Sequence, residues 1–176
     1  MLIYYLGLLE TQTEKEKFEI VYEEYRHRMK SVAMQLLGNE ADAEDALQDS
    51  FEKLIKNLQS IEEPVSFKTA ALLTVIVKNT CRDHLRRRTV RVSYDLEAAE
   101  ELQISHHEDI MGDLNAEYIW RMIERLPGIY HDVLLLKFYF ELPDGKAAEL
   151  LGLSHEGFRN RLQRAKKLLQ AVLKEE

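Results

Sequence analysis

Apolar residues recur at intervals of three and four along most of this chain, which is the spacing of one face of an α-helix. From about Glu16 to Leu37 the stripe is Phe18, Tyr22, Tyr25, Met29, Val32 and Leu36, and Gly38 stands where a helix is commonly closed. Asn39 is suited to cap the next helix, which runs to about Leu58. Ala43, Leu47, Leu54 and Leu58 face inward on it, and Asp45, Gln48, Asp49 and Glu52 fall on the other side. Pro64 and Ser66 interrupt the pattern. Ser66 predicts the cap of a third helix from Phe67 to about Arg88, with Leu73, Ile76, Val77, Thr80, His84 and Leu85 on its buried side. That helix is apolar in its first half and basic in its second.

From Thr89 to about Asp113 the periodicity fades and acids dominate. A stretch of this length is long for a loop inside one compact domain, so it is expected to separate two. Helix resumes from Leu114 to Leu126 and again from Ile129 to Phe140, where Val133, Leu134, Leu136 and Phe140 form the apolar side. Leu142-Pro143-Asp144 breaks it. A short helix from Gly145 to Leu151, a turn at Gly152-Leu153-Ser154 and a last helix from His155 to about Lys174 complete the chain. The expected fold is all-α: two small helical domains, 1–88 and 114–176, joined by an acidic linker, 89–113, with a helix-turn-helix in the second. Few turn-formers (7 Gly, 3 Pro) and no long β-branched run agree with this.

The helix-turn-helix spans Asp144 to Gln163. Its crossing wants a small residue, Ala148, and its turn a backbone free to take positive φ, Gly152. Ser154 caps the second helix, and Phe158 and Leu162 anchor it. The opposite face carries His155, Glu156, Arg159, Asn160 and Gln163, side chains able to read base edges in the major groove. Arg161, Arg164 and Lys166 are expected to hold phosphates. The bland alternative is a helix pair with a solvated basic face.

A formal net charge of -7 argues against a nucleic-acid binder until the charge is mapped along the chain. Glu40–Asp49 holds five acids and no base, Lys78–Arg91 six Lys or Arg against one acid, Val92–Glu117 eight acids and no Lys or Arg, and Phe158–Lys167 five bases and no acid. Such a chain can meet a polyanion with some surfaces and a basic protein with others. Its one cysteine, Cys81, rules out a disulfide within the chain and points to a reducing, cytoplasmic setting. Cys81 is expected to be buried. The apolar start MLIYYLGLLE lacks a basic flank and is too short to span a bilayer, so it is expected to pack on the first domain, with no membrane insertion.

Three blocks carry a resemblance when taken in order. Asp42-Ala-Glu-Asp-Ala-Leu-Gln-Asp-Ser-Phe51 resembles the core-binding segment of extracytoplasmic-function sigma factors. Lys68-Thr-Ala-Ala-Leu-Leu-Thr-Val-Ile-Val-Lys-Asn79, followed by Asp83-His-Leu-Arg-Arg-Arg88, looks like their promoter-melting and −10-recognition helix. Leu126-Pro127, the helix-turn-helix and Arg161-Leu-Gln-Arg-Ala-Lys166 look like their −35-binding domain. Together the blocks span roughly Phe18 to Leu173. Leu72 stands where an aromatic residue is common, Lys146-Ala147-Ala148 where Glu-Ile-Ala is usual, and Pro143-Asp144-Gly145 leads into that helix unusually.

The resemblance implies a factor that binds RNA polymerase core and directs it to particular promoters. It implies no catalytic residue and no cofactor, since the polymerase does the chemistry. Asp45, Gln48 and Asp49, with Glu52 beside them, match positions that meet the clamp helices of the polymerase's largest subunit. That surface is basic, and the second domain would meet the flap. Asn79, Arg82, Arg86 and Arg87 match the helix that engages the −10 element, and the loop from Ser60 to Ser66 matches the one that captures a flipped base. The acidic linker matches a segment that threads the polymerase. Promoter DNA is the other implied partner, and an anti-sigma factor is a further candidate. The chief rival is a sigma-like helix-turn-helix regulator that binds DNA but not core polymerase. An enzyme built on His106-His107-Glu108-Asp109 is disfavoured because adjacent residues make a poor metal cage. An anti-sigma or adaptor protein would not need two basic DNA surfaces.

Overall fold

The computed structural model describes residues 1–89 and 121–174. The described residues are helical with no strand, and the chain divides into two compact units, one built on the N-terminal helices and one on the C-terminal helices.

The N-terminal unit begins with a short helix, α1 (Leu2–Gly7). Two long helices follow, α2 (Gln12–Leu37) and α3 (Glu40–Lys56). A 3₁₀ turn at Leu58–Ser60 leads to α4 (Phe67–Thr89). Helix α2 starts four residues before the expected Glu16. Thr11 and Glu14 form a reciprocal cap, in which Glu14 N–H donates to Thr11 Oγ1 at 3.2 Å and Thr11 N–H to Glu14 Oε2 at 3.1 Å. That Thr-x-x-Glu signal stands in the sequence, ahead of the apolar stripe. At the other end Gly38 takes φ 74°, the left-handed close that glycine makes without a Cβ penalty. Asn39 Oδ1 then accepts from Asp42 N–H at 2.9 Å to start α3, and Ser66 Oγ accepts from Thr69 N–H at 3.1 Å to start α4.

Helices α2, α3 and α4 pack against one another in all three pairings. Their core is Phe18, Val21, Tyr22, Tyr25, Met29 and Val32 from α2, Leu47, Phe51 and Leu54 from α3, and Leu72, Leu73, Ile76, Val77 and Cys81 from α4. The stripe of α2 ends on Leu37, with Leu36 half-buried. His84 and Leu85, expected inside, are half-buried, since α4 runs past the edge of the core there. Helix α1 inserts Tyr5 into an aromatic cluster, its ring 5.5 Å from Phe18, 5.9 Å from Tyr22 and 5.6 Å from Phe51. The apolar start thus packs on the first unit as expected.

In the C-terminal unit residues 121–124 are helical. Helix α5 (Gly128–Leu134) continues into one π-helical turn, Leu135–Tyr139, closed by Phe140 N–H donating to Leu135 O at 3.1 Å. The single helix expected over Ile129–Phe140 is therefore two kinds of turn. The wider turn changes the phase along the chain, leaving Phe138 within it exposed and Phe140 just after it buried. Glu141, at φ 53°, turns the chain out. Helix α6 (Asp144–Leu150) begins one residue before the expected Gly145. The preceding helix breaks before Asp144, as expected, and Pro143 O accepts from Ala147 N–H at 3.0 Å, so Asp144 itself opens the next helix. Helix α7 (His155–Lys174) packs on α5 through its Phe158, Leu162, Ala165 face. Most of the acidic linker, the start of the helix expected from Leu114, and His106–Asp109 lie outside the described residues.

Candidate functional site

Two antiparallel helices, α3 and α4, place acids beside bases. Lys53 Nζ lies 3.1 Å from Thr80 Oγ1 and 3.5 Å from Asp83 Oδ2. One helical turn further along, His84 Nε2 donates to Asp49 Oδ2 at 2.8 Å. At the far end Arg88 pairs with Asp42. The steps from 53 to 49 to 42 on α3 and from 80 to 84 to 88 on α4 are helical repeats, so the three links share one seam. Apolar periodicity cannot reveal this ladder, because its members sit beside the buried stripes and find partners only when the helices are paired.

The ladder sorts the expected polymerase-facing residues. Asp45 is exposed, while Gln48, Asp49 and Glu52 are half-buried. Glu52 Oε1 accepts from Tyr4 Oη at 3.2 Å and from Gln48 Nε2 at 3.4 Å, tying α1 to this face. Asp49, on the side of α3 away from its inward stripe, is engaged by His84, so its carboxylate also has a structural role.

On the basic half of α4, Arg86 and Arg87 are exposed and Arg82 is half-buried. Asn79 is not on that surface. It is 5% exposed, its Nδ2 donates to Val75 O at 2.9 Å, and its Oδ1 accepts from Arg82 Nη1 at 3.3 Å. The expectation that Asn79 faces a ligand is corrected to a place behind Arg82. The reason is register: position 79 lies three residues after Ile76 and two before Cys81, on the wall that packs inward. Asp42, His84, Arg87 and Arg88 line an open depression of about 330 Å³. The loop from Ser60 to Ser66 is braced from within. Lys17 Nζ donates to Ile61 O at 2.8 Å, Tyr25 Oη donates to Ser66 O and accepts from Ser66 N–H, both at 3.1 Å, and Thr69 Oγ1 donates to Glu63 O at 2.6 Å. Val65 projects from it, exposed.

The helix-turn-helix forms where expected. Gly152 takes φ 63°, and Ser154 Oγ accepts from Gly157 N–H at 3.0 Å to cap α7. With Phe158 and Ala165 sealed and Leu162 nearly so, the opposite face of the helix is turned outward. His155, Glu156, Arg159, Asn160, Gln163, Arg164 and Lys166 are exposed, and Arg161 is half-buried. Two supports escaped the sequence pattern. Lys166 Nζ lies 5.3 Å from the centre of the Phe138 ring, a cation–π contact that steers its ammonium. Lys137 Nζ lies 2.5 Å from Asp144 Oδ1. That hydrogen bond, helped by the charges of Lys137, His155 and Arg159, holds the Asp144 carboxyl below the usual range. Among the described residues no cluster of His, Cys, Asp and Glu could hold a metal ion, and no helix is long and apolar enough to cross a membrane.

An acidic and a basic helix in one unit and a helix-turn-helix in the other define a class. Residues 21–91 match Sigma-70 region 2, and residues 116–169 match Sigma-70 region 4. The chain belongs to the sigma-70 family and is a sigma factor, a protein that directs transcription initiation. Within the family it is an extracytoplasmic-function sigma factor. It is 26% identical over 168 residues to the RNA polymerase sigma factor SigV of Bacillus subtilis, covering 94% of this chain and 96% of that one. To the ECF RNA polymerase sigma factor SigW of the same organism it is 23% identical over 173 residues, covering 92% and 91%. Solved structures with some likeness include the sigma factor RpoE in complex with the anti-sigma factor NepR from Bartonella quintana. That match has TM-score 0.39 and 21% identity, covering 87% of this chain and 94% of that one. Another is CnrH in complex with the cytosolic domain of CnrY, with TM-score 0.35 and 21% identity, covering 90% and 88%.

Proposed function

We propose that this sigma factor binds RNA polymerase core through the outer face of α3 and reads promoters with α4 and α7. Asp45, Gln48 and Glu52 supply the core-binding face, with Asp49 at its edge. A basic partner surface suits an acidic helix of this kind, because complementary charge speeds encounter and fixes orientation. Arg82, Arg86 and Arg87 engage the −10 element, with Asn79 positioning Arg82 from behind. The loop from Ser60 to Ser66 takes the flipped base. Capturing a base costs a few kcal/mol of stacking, so a loop already held by Tyr25 and Thr69 has less ordering left to do. His155, Glu156, Arg159, Asn160 and Gln163 read the −35 element, while Arg161, Arg164 and Lys166 hold phosphates.

The domains carry these roles as 1–88 for core and −10 binding, 89–113 as the linker and 114–176 for −35 and flap binding. The chain works in the cytoplasm, without a cofactor or a reaction of its own. An anti-sigma factor that covers the α4 or α7 surface is a further partner. The observation that most supports this reading is the exposed polar and basic face of α7 behind a fully packed Phe158.

The test is transcription in vitro, with purified protein, core polymerase free of other sigma factors and fragmented genomic DNA. Transcripts from discrete start sites that depend on the protein are expected. Binding to DNA without binding to core would replace this reading with a helix-turn-helix regulator.

A further inference from the structure

The N-terminal helix α1 buries little of what it carries. Tyr5 is its anchor, 1% exposed within the aromatic cluster, and Leu9 follows it inward. A six-residue helix has no stability of its own in water, so this anchor is what holds it. With Tyr5 inside, helical spacing puts Met1, Tyr4 and Leu8 on one stripe and Ile3 beside it. Tyr4 is 51%, Leu8 47% and Ile3 87% exposed. Four large apolar side chains in solvent along so short a segment make the kind of patch that marks an interaction surface. The stripe also has a neighbour. Tyr4 Oη donates to Glu52 Oε1 at 3.2 Å, and the same oxygen accepts from Gln48 Nε2 at 3.4 Å. The apolar stripe of α1 therefore runs into the polar face of α3. Residue 21 is where the match to Sigma-70 region 2 begins, so α1 lies outside it.

We infer that α1 is part of the core-polymerase docking surface, an apolar shoulder on the acidic face of α3. This rests on the proposed role of that face. The occupant is the basic surface that takes Asp45 and Glu52, and beside its cations it carries apolar side chains that cover Ile3, Tyr4 and Leu8. Charge on α3 sets encounter and orientation, whereas burial of the α1 stripe slows dissociation. Packed apolar residues rimmed by polar and charged groups are where much of the binding energy of an interface concentrates, and α1 beside the α3 face offers such a cluster.

The experiment measures the affinity of the full-length protein for core polymerase by fluorescence anisotropy. It compares the wild type, Asp45→Lys and the double variant Ile3→Ser/Leu8→Ser. Circular dichroism melting checks the fold of each, and sedimentation reports self-association. The double variant is expected to bind core at least about tenfold more weakly, with an unchanged melt. If its melt shifts, Ile3→Ser alone at the most exposed position gives the answer, with a loss of a few-fold expected. Unchanged affinity in the serine variants, with weaker binding by Asp45→Lys, overturns the α1 shoulder and leaves the α3 face standing. Unchanged affinity in all three variants removes the α3 face and the shoulder with it. A wild type that self-associates through these residues, with no effect on core binding, makes a second copy of the chain the occupant and overturns the proposal.

Discussion

Phe158→Ala tests whether the outward face of α7 depends on one packed ring. Phe158 is fully buried, and with Leu162 and Ala165 it makes the inner side of the helix. Returning a phenylalanine side chain to water costs about 1.5–3 kcal/mol in lost transfer energy alone. The cavity left behind adds to this, and buried Phe→Ala changes lie at about 3–5 kcal/mol. The upper half of that range is expected, because Ala165 is too small to fill the space and α5 is held at both ends by its own turns. Small domains have only about 5–15 kcal/mol in total, so the C-terminal unit should lose much of its stability. Urea denaturation of the full chain, followed by hydrogen exchange of the α5 and α7 amides, reads the loss directly. An unchanged slope with a lower midpoint is the signature of a pure stability effect. Phe158→Leu keeps most of the volume and should cost no more than about 1.5 kcal/mol. A loss under about 1 kcal/mol for the alanine variant would refute the view that this ring anchors the helix.

Further outcomes are expected at Gly38, at Cys81, on the α3 face and on α7. Gly38→Ala should cost about 1 kcal/mol by denaturant midpoint, because φ 74° strains any Cβ although nothing lies within 4 Å of it. Cys81 should react slowly with maleimide, since burial pushes its thiol up from 9.0 to about 11. The native chain then keeps a proton that the unfolded chain releases, so stability falls as pH rises from about 9 to about 11, and Cys81→Ala should remove that part of the slope in urea midpoints taken across the range. Asp45→Lys should weaken core binding without shifting the melt, whereas Asp49→Arg should do both because it also breaks the bond to His84; an unshifted melt for Asp49→Arg would deny that bond a structural role. Arg159→Ala should weaken some promoter fragments more than others in gel-shift assays, while Arg164→Ala should weaken all equally and lower the salt slope by about 1.

The sequence alone determined the helices, their caps and the two-unit plan. Those features follow from local rules: Gly38, Asn39, Ser66, Gly152 and Ser154 act within a turn of where they stand, and apolar spacing needs only the chain itself. It also determined the inner and outer faces of α7, since one packed side settles the other. Local rules failed where the next turn depended on a distant partner. The π-helical turn at Leu135–Tyr139 puts Phe138 under Lys166, a residue far along the chain. Asn79 went inward because α4 is walled on two sides by α2 and α3, a matter of register that residue type does not reveal. The tertiary structure alone decided the ladder from Lys53 to Arg88 and the tie from Tyr4 to Glu52. Each joins residues more than 25 positions apart, and a charge or a hydroxyl carries no sign of its partner until packing brings the two within a hydrogen bond.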